Sequence, residues 1–213
     1  MSHSSTSSIS PSADVARWNQ RFAQESFVFG EEPNAWLRDH AHHWQAGQRV
    51  LCVADGEGRN SVWLAQQGLR VEAFDISPVG VAKARSLADR RGVQVDYQVA
   101  DCDGFAWPRA AYGGVAAIFV QFADPAMRAR LFAHIVDSLV PGGVLVLQGY
   151  TPQQLVYCTG GPSQVENLYT EALLRGAFGA LELLTVCDYE AEVDEGAGHQ
   201  GRSALIGLVA RKR

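Results

Sequence analysis

The stretch RVLCVADGEGRN, residues 49–60, runs from an apolar segment straight into a small loop that carries Gly56 and Gly58. A strand with no polar alternation is the kind that a parallel sheet buries on both faces. Two glycines in the loop after it permit a close approach of backbone to ligand. Segments of alternating type follow on the C-terminal side. RNSVWLAQQG (59–68) reads as a short helix that Gly68 ends in a left-handed conformation. RVEAFD (70–75) reads as a second strand. Ser77 and Pro78 have the character of an N-cap and first helical position, opening a helix that closes near Gly92. VQVDYQV (93–99) alternates Val93, Val95, Tyr97 and Val99 on one face as a third strand, and GVAAIFV (114–120) is a fourth. Asp124 and Pro125 start an amphipathic helix through MRARLFAHIVDSLV (127–140) that stops before Pro141, and VLVLQGY (144–150) is a fifth strand.

The alternation predicts an α/β fold with a doubly wound sheet. The ending differs. LELLTVCDYEAEV (181–193), the connection DEGAGHQG (194–201) and SALIGLVARK (203–212) read as two strands joined by a hairpin. A hairpin forces antiparallel pairing, so the expectation is a seven-stranded, mostly parallel sheet whose last strand is antiparallel. Residues 15–213 are expected to form one domain, with 15–46 as an N-terminal helical cover rich in aromatics. The opening MSHSSTSSISPS has no apolar core, and residues 1–14 read as a disordered tail.

The chain has 213 residues, 47% of them hydrophobic and 19% charged, in the range of one ordinary globular domain. A net charge of −5 argues against a general nucleic-acid binder, and no apolar run reaches the roughly 20 residues of a membrane span. Cys52, Cys102, Cys158 and Cys187 are widely spaced without a metal-ligand pattern, so reduced thiols, no metal and a cytoplasmic location are expected. His42 and His43 have no third ligand near them and read as surface residues. Trp18 and Phe22 read as core packing under the cover.

Ligands of open α/β sheets sit beyond the carboxyl ends of the strands, where the loop at 55–60 lies. No Gly-Lys-Ser/Thr follows, which excludes a phosphate-cradling P-loop, and Ser61 stands where a dinucleotide fingerprint would have its third glycine. Asp75 ends the second strand, where a carboxylate accepts hydrogen bonds from ribose hydroxyls; capping the next helix is its structural alternative. This placement serves nicotinamide and S-adenosylmethionine sites alike. Asp101 ends the third strand, within reach of an adenine amino group.

Five segments together, WNQRFAQESFVFGEEPNAWL, GEGRNSVWLAQQG, FDISPVGVAKA, LVPGGVLVLQGYTPQQL and GHQGRSALIGLVAR, resemble the small class I S-adenosylmethionine-dependent methyltransferases grouped with tellurite-resistance and thiopurine methyltransferases. The resemblance covers Trp18 to the C-terminus. It implies a Rossmann-like methyltransferase with S-adenosyl-L-methionine as cofactor and a small-molecule acceptor, such as a thiol or a chalcogen oxyanion. It also implies cofactor contacts from Phe29, Gly30, Ala54, Asp55, Gly56, Gly58, Arg59, Asn60, Asp75, Ile76, Ser77, Asp101, Cys102 and Gln121. Tyr150, Tyr157 and His199 are the candidate acceptor contacts, with His199 also the candidate general base or simply a turn residue. VYCTGGPSQ (156–164) is a candidate lid, an ordinary connecting loop being the alternative. The chain departs from the family's first motif, having Cys52 where an acidic residue is usual and Ala54 where a glycine is usual. That departure keeps a second reading open, a cofactor-binding or regulatory module with little catalysis; a nicotinamide oxidoreductase is the third.

Overall fold

A computed structural model describes residues 13–213. Residues 1–12 of the expected tail lie outside the described residues, while Ala13 and Asp14 already belong to a helix. In chain order the elements are α1 (Ala13–Phe22), α2 (Ala35–His40), β1 (Arg49–Val53), α3 (Arg59–Gln66), β2 (Arg70–Asp75), α4 (Pro78–Arg91), β3 (Val95–Val99), β4 (Tyr112–Ile118), α5 (Pro125–Ser138), β5 (Leu139–Tyr150), α6 (Gln154–Tyr157), α7 (Glu171–Ala177), β6 (Glu182–Asp194) and β7 (Gln200–Arg211).

The apolar run of β1 fills two cores at once. Leu51 and Val53 join one cluster with residues of β4, α5 and β5. Val50 and Cys52, pointing the other way, join a second with α3, α4 and the cover. A strand with apolar side chains on both faces is stable only with helices on both sides of the sheet. The sheet order is β3-β2-β1-β4-β5-β7-β6. β1 through β5 run parallel, while β7 is antiparallel to both β5 and β6. The order reverses between β1 and β4, so the crevice beyond their carboxyl ends is the switch point of the fold.

Caps match their sequence signals. Ser77 accepts from the Gly80 N–H with Pro78 beside it, Asp124 accepts from Met127 N–H, and Gly92 closes α4 in a left-handed conformation.

Several boundaries differ from expectation. The fifth helix ends at Ser138 and β5 begins at Leu139 rather than Val144. Leu139 is fully buried opposite Tyr112, and a register shift between Tyr112 and Gly114 absorbs the Pro-Gly-Gly that reads as a break. The expected loop 156–164 begins inside the short helix α6, and the terminal connection contracts to residues 195–199 because both strands extend into it.

The cover consists of α1, α2 and a 3-10 turn, with an irregular segment between the helices. Asn34 caps α2, and Trp44 donates from Nε1 to the Val144 carbonyl at 3.2 Å. All four cysteines are free thiols, and Cys52 and Cys102 are buried.

Candidate functional site

The glycine loop is shaped by its own hydrogen bonds. Asp55 N–H donates to the Phe74 carbonyl and Gly58 N–H to Asp55 O, which curls the chain between β1 and α3. Ala54 has φ +49 and Gly56 φ +61. An alanine in the left-handed region stores strain on the order of 1–3 kcal/mol, and the loop holds its curl with Ala54 in place at that cost. Gly58 is required for packing: a Cβ there would stand 2.7 Å from Ala84 Cβ and 2.9 Å from Tyr97 Oη.

Asp75 closes this loop from β2. Its Oδ2 accepts from Gly56 N–H at 2.9 Å and its Oδ1 from Ser77 N–H at 2.8 Å. Burial raises its pKa, and these two N–H donors oppose the rise. Asp55 is held by Ser61, whose Oγ donates to Oδ2 and also meets Tyr97 Oη at 2.8 Å. Burial, and then the charge of Asp75, push Asp55 up to about 7 against the bonds from Ser61. Burial keeps the neighbouring Cys52 thiol well above its usual range, so it stays a neutral apolar group.

Residues of the same loop also clamp the cover. Glu57, 3% exposed, accepts from Val28 N–H at 2.7 Å and pairs with Lys83 at 2.5 Å. Lys83 reaches the carbonyls of Gln24 and Ser26 at 2.9 and 2.8 Å. Arg59 donates to Phe29 O, and Asn60 Oδ1 accepts from Asn34 N–H at 3.0 Å. The loop and the cover are thereby one mechanical unit.

A cavity of about 520 Å³ opens at the switch point. Ala54, Asp55, Gly56, Phe74, Asp75 and Ile76 line it from β1 and β2, and Ala100, Asp101 and Cys102 from the end of β3. Trp18, Arg21, Phe22 and Phe29 close it from the cover. The rest of the wall includes Arg59 and Asn60, Phe119, Gln121, Tyr150, residues 160–164, Asn167 and His199.

That wall is aromatic. Phe119 has φ +56, a strained conformation for a bulky side chain. Its ring stacks on Tyr150 at 4.7 Å and meets His199 edge-on at 4.3 Å, and His199 also meets Phe29 at 4.6 Å. The Gly160–Gly161 pair lies so close to Tyr150 that a Cβ on Gly161 would come within 2.7 Å of the ring. His199 is 7% exposed, and its Nδ1 has no hydrogen-bond partner. Burial first, then Arg59 and Arg21, lower its pKa to about 3, so the imidazole is neutral at physiological pH.

Of the fourteen residues expected around the cofactor, Phe29, Ala54, Asp55, Gly56, Arg59, Asn60, Asp75, Ile76, Asp101, Cys102 and Gln121 line the cavity. Gly30, Gly58 and Ser77 stand behind it: Ser77 caps α4 and donates from Oγ to Asn19 at 2.6 Å. Asp101 also accepts from Asp103 and Gly104 N–H, and Gln121 binds both Tyr150 backbone groups. Tyr150 and His199 are in the wall, whereas Tyr157 lies outside it, bonded to Glu190 at 2.7 Å with Arg202 over its ring. Trp18 and Phe22, read from sequence as core packing, stack at 5.4 Å and also line the cavity; Phe22 is buried, at 2% exposure, as that reading expects, whereas Trp18 is only partly buried. Arg21, Phe119 and Asn167 went unrecognised; the spacing of Trp18, Arg21 and Phe22 on one helical face was the available signal for the first. Among the described residues no group of three or more His, Cys, Asp or Glu side chains is placed to hold a metal ion, and no helix is long and apolar enough to cross a membrane.

Comparison with known proteins places these features in a family. Residues 13–203 match the model of the family described as thiopurine S-methyltransferase. A thiopurine S-methyltransferase of Pseudomonas fluorescens is 30% identical over 196 residues, covering 82% of this chain and 88% of that protein. A demethylmenaquinone methyltransferase of Thermus thermophilus is 28% identical over 66% of each chain. The chain spans only 31% of a matching ribosomal RNA small subunit methyltransferase C from Chromohalobacter salexigens. Among solved structures, TehB from Haemophilus influenzae superposes with a TM-score of 0.69 at 15% identity, over 93% of this chain and 67% of that one. The N-methyltransferase NodS from Bradyrhizobium japonicum, in complex with S-adenosyl-l-homocysteine, gives 0.69 at 14% identity, over 93% and 97%. At these identities the structural likeness establishes the fold.

Proposed function

This chain belongs to the thiopurine S-methyltransferase family, and on that premise we propose that its cavity binds S-adenosylmethionine next to a small acceptor with a soft nucleophile, a thiol or a chalcogen oxyanion. Asp75 is the ribose anchor. Both its oxygens are already oriented by Gly56 and Ser77 N–H groups, so the remaining lone pairs face the cavity without further ordering. Asp101, Cys102 and Phe74 surround the adenine, and Phe29 with Trp18 covers the sulfonium end, where a cation–π contact contributes on the order of 0.5–2 kcal/mol.

Methyl transfer is an in-line displacement at the sulfonium carbon: the acceptor atom forms its bond to carbon as the carbon–sulfur bond breaks. Orientation alone lowers such a barrier by roughly 7–11 kcal/mol. The wall of Phe119, Tyr150 and His199 supplies that orientation.

The observation that carries the acceptor class is the state of His199. A base with a pKa of about 3 gives little driving force for taking a proton at neutral pH. Burial also raises the pKa of Tyr150, which stays protonated. A nucleophile that is already an anion, or ionises easily, fits this wall better than an alcohol. The experiment is a turnover assay with S-adenosylmethionine and the pair thiophenol and phenol. Methylation of thiophenol at least about a hundredfold faster supports the reading; equal rates, or phenol alone, would overturn it. Net charge of −5 and four unpaired thiols support a cytoplasmic protein whose partner is a small molecule rather than a nucleic acid. A non-catalytic module is not favoured, because the loop at Ala54 retains its curl and the acceptor wall is intact.

A further inference from the structure

Two side-chain amides line the cavity from the segments that follow β4 and β5, those of Gln121 and Asn167. The Gln121 amide is spent on the backbone. Its Nε2 donates to the carbonyls of Tyr150 and Asn167 at 2.9 and 3.1 Å, and its Oε1 accepts from Tyr150 N–H. The Asn167 amide is left over. The residue is 8% exposed, and among the described residues neither atom of its carboxamide has a hydrogen-bond partner. Oδ1 is fully enclosed, whereas Nδ2 keeps accessible surface, so the donor is the atom on offer.

The turn that carries this amide is fixed on several sides. Residues Val165–Asn167 form a 3-10 turn in which Asn167 N–H donates to the Gln164 carbonyl at 3.1 Å. Gln121 holds the Asn167 carbonyl from beyond β4, and Arg128 of α5 donates to the Glu166 carbonyl at 2.6 Å. Tyr169 N–H, just past the turn, donates to the Tyr150 carbonyl at the end of β5 at 2.9 Å. A polar group on a backbone this constrained loses little freedom when it binds a ligand. Having no protein partner to give up, it also gains a hydrogen bond outright.

Resting on the soft-nucleophile methyltransferase reading, we infer that Asn167 sets acceptor specificity, its Nδ2 donating to a neutral oxygen or nitrogen that the acceptor carries beside its thiol. The turn lies between β5 and β6, outside the β1–β3 half that holds Asp75 and Asp101, which assigns it to the acceptor rather than the nucleoside. A neutral donor with no free cation beside it suits a neutral ligand atom better than an anion. Arg128 is the nearby base, and it is directed at the Glu166 carbonyl and the Tyr169 ring. Phe119, Phe122 and Met127 line the same cavity, so the acceptor body is apolar and the amide reads one polar point on it. A site that hydrogen-bonds one group of its substrate rejects the analogue lacking that group, because its own polar atom is then buried unpaired.

The test compares meta- and para-methoxythiophenol with their ethyl isosteres, which match them in size and lack the oxygen. In the wild type at least one methoxy compound should exceed its isostere by about fivefold or more in kcat/KM, the effect of roughly one hydrogen bond. Calorimetry of the same thiols with the complex of the protein and S-adenosylhomocysteine should show the same preference in Kd. Asn167→Leu should bring that ratio to within about twofold of unity, with thiophenol turnover and S-adenosylhomocysteine affinity each within about threefold of wild type. Asn167→Asp keeps the shape but presents acceptor oxygens, so it should turn the preference toward the aminothiophenols. With an unchanged melting curve it keeps the test decisive if the leucine variant fails to fold. No methoxy preference in the wild type, or equal losses on both members of each pair in the variants, overturns the inference and leaves the methyltransferase reading standing. A loss of S-adenosylhomocysteine affinity of about tenfold in Asn167→Leu assigns the amide to the cofactor and overturns it as well. A wild type that binds no S-adenosylhomocysteine and methylates no thiol overturns both.

Discussion

Arg59 and Glu195, 136 positions apart in the chain, meet with Nη2 and Oε2 2.7 Å apart. The contact ties the first turn of α3, at the end of the glycine loop, to the hairpin that carries His199. Asn34 completes the knot, donating from Nδ2 to Glu195 Oε1 at 2.9 Å and to Gln148 at 2.6 Å. The glycine loop, the cover and the hairpin of the aromatic cavity wall therefore converge on one carboxylate.

Removing that carboxylate strands a guanidinium whose side chain is 7% exposed. Glu195→Ala is expected to cost about 3 kcal/mol, because a charge left without its partner in a buried setting pays its full desolvation. Urea unfolding at pH 7 measures this. A loss under about 0.5 kcal/mol would class the contact with ordinary surface pairs.

The buried Asp55 gives the fold a pH dependence of defined sign. Its pKa in the fold, about 7, lies above the ordinary value of 3.8, so the folded state holds the proton that the unfolded chain has released. The stabilising contribution is complete below about pH 4 and is lost as pH rises through 7. Asp55→Asn removes the ionisation. Between pH 5 and pH 8 the variant should gain about 2 kcal/mol relative to the wild type. Parallel stability profiles for the two proteins would remove Asp55 from this account.

For His199 the sign is reversed. Its lowered pKa, about 3, means that stability from the neutral imidazole is complete above the usual 6.5 and declines as pH falls toward 3. In the range of an activity assay the ring does not titrate. His199→Gln should therefore leave the shape of the kcat/KM profile from pH 5.5 to 8.5 unchanged, change acceptor KM, and hold cofactor affinity within about twofold. The disappearance of a limb near pH 6.5 in the variant would make His199 a general base after all.

The fold was legible where local chemistry and burial agree. The two-sided apolar pattern of β1, Ser77 with Pro78, and Asp124 with Pro125 mark elements that the structure contains. The antiparallel β7 followed from the shortness of the connection around Gly196 and Gly198. Leu139 and Val140 misled because Pro141, Gly142 and Gly143 are strong local stop signals, and the pairing of Leu139 with Tyr112 is a tertiary fact. In the site, Asp75 and the glycine loop announced themselves by position after strands. Arg21 and Phe119 did not. An arginine on an amphipathic helix looks solvated, and Phe119, in a left-handed conformation, meets Tyr150 and His199, which are remote in sequence. Tyr157 was misplaced for the complementary reason: α6 turns it out toward Glu190.

The account stands or falls on Asp75 as an anchor for S-adenosylmethionine, and titration calorimetry of the wild type and Asp75→Asn tests it most directly. The variant keeps a side-chain oxygen for one of the Gly56 and Ser77 N–H groups but loses the charge that strengthens two ribose hydrogen bonds, each on the order of 1.5–3 kcal/mol. The expected result is saturable binding of S-adenosylhomocysteine by the wild type, at least about tenfold weaker binding by the variant with its fold intact by circular dichroism, and no heat with NAD. Equal affinity of the two proteins for S-adenosylhomocysteine, or binding of NAD alone, would contradict it.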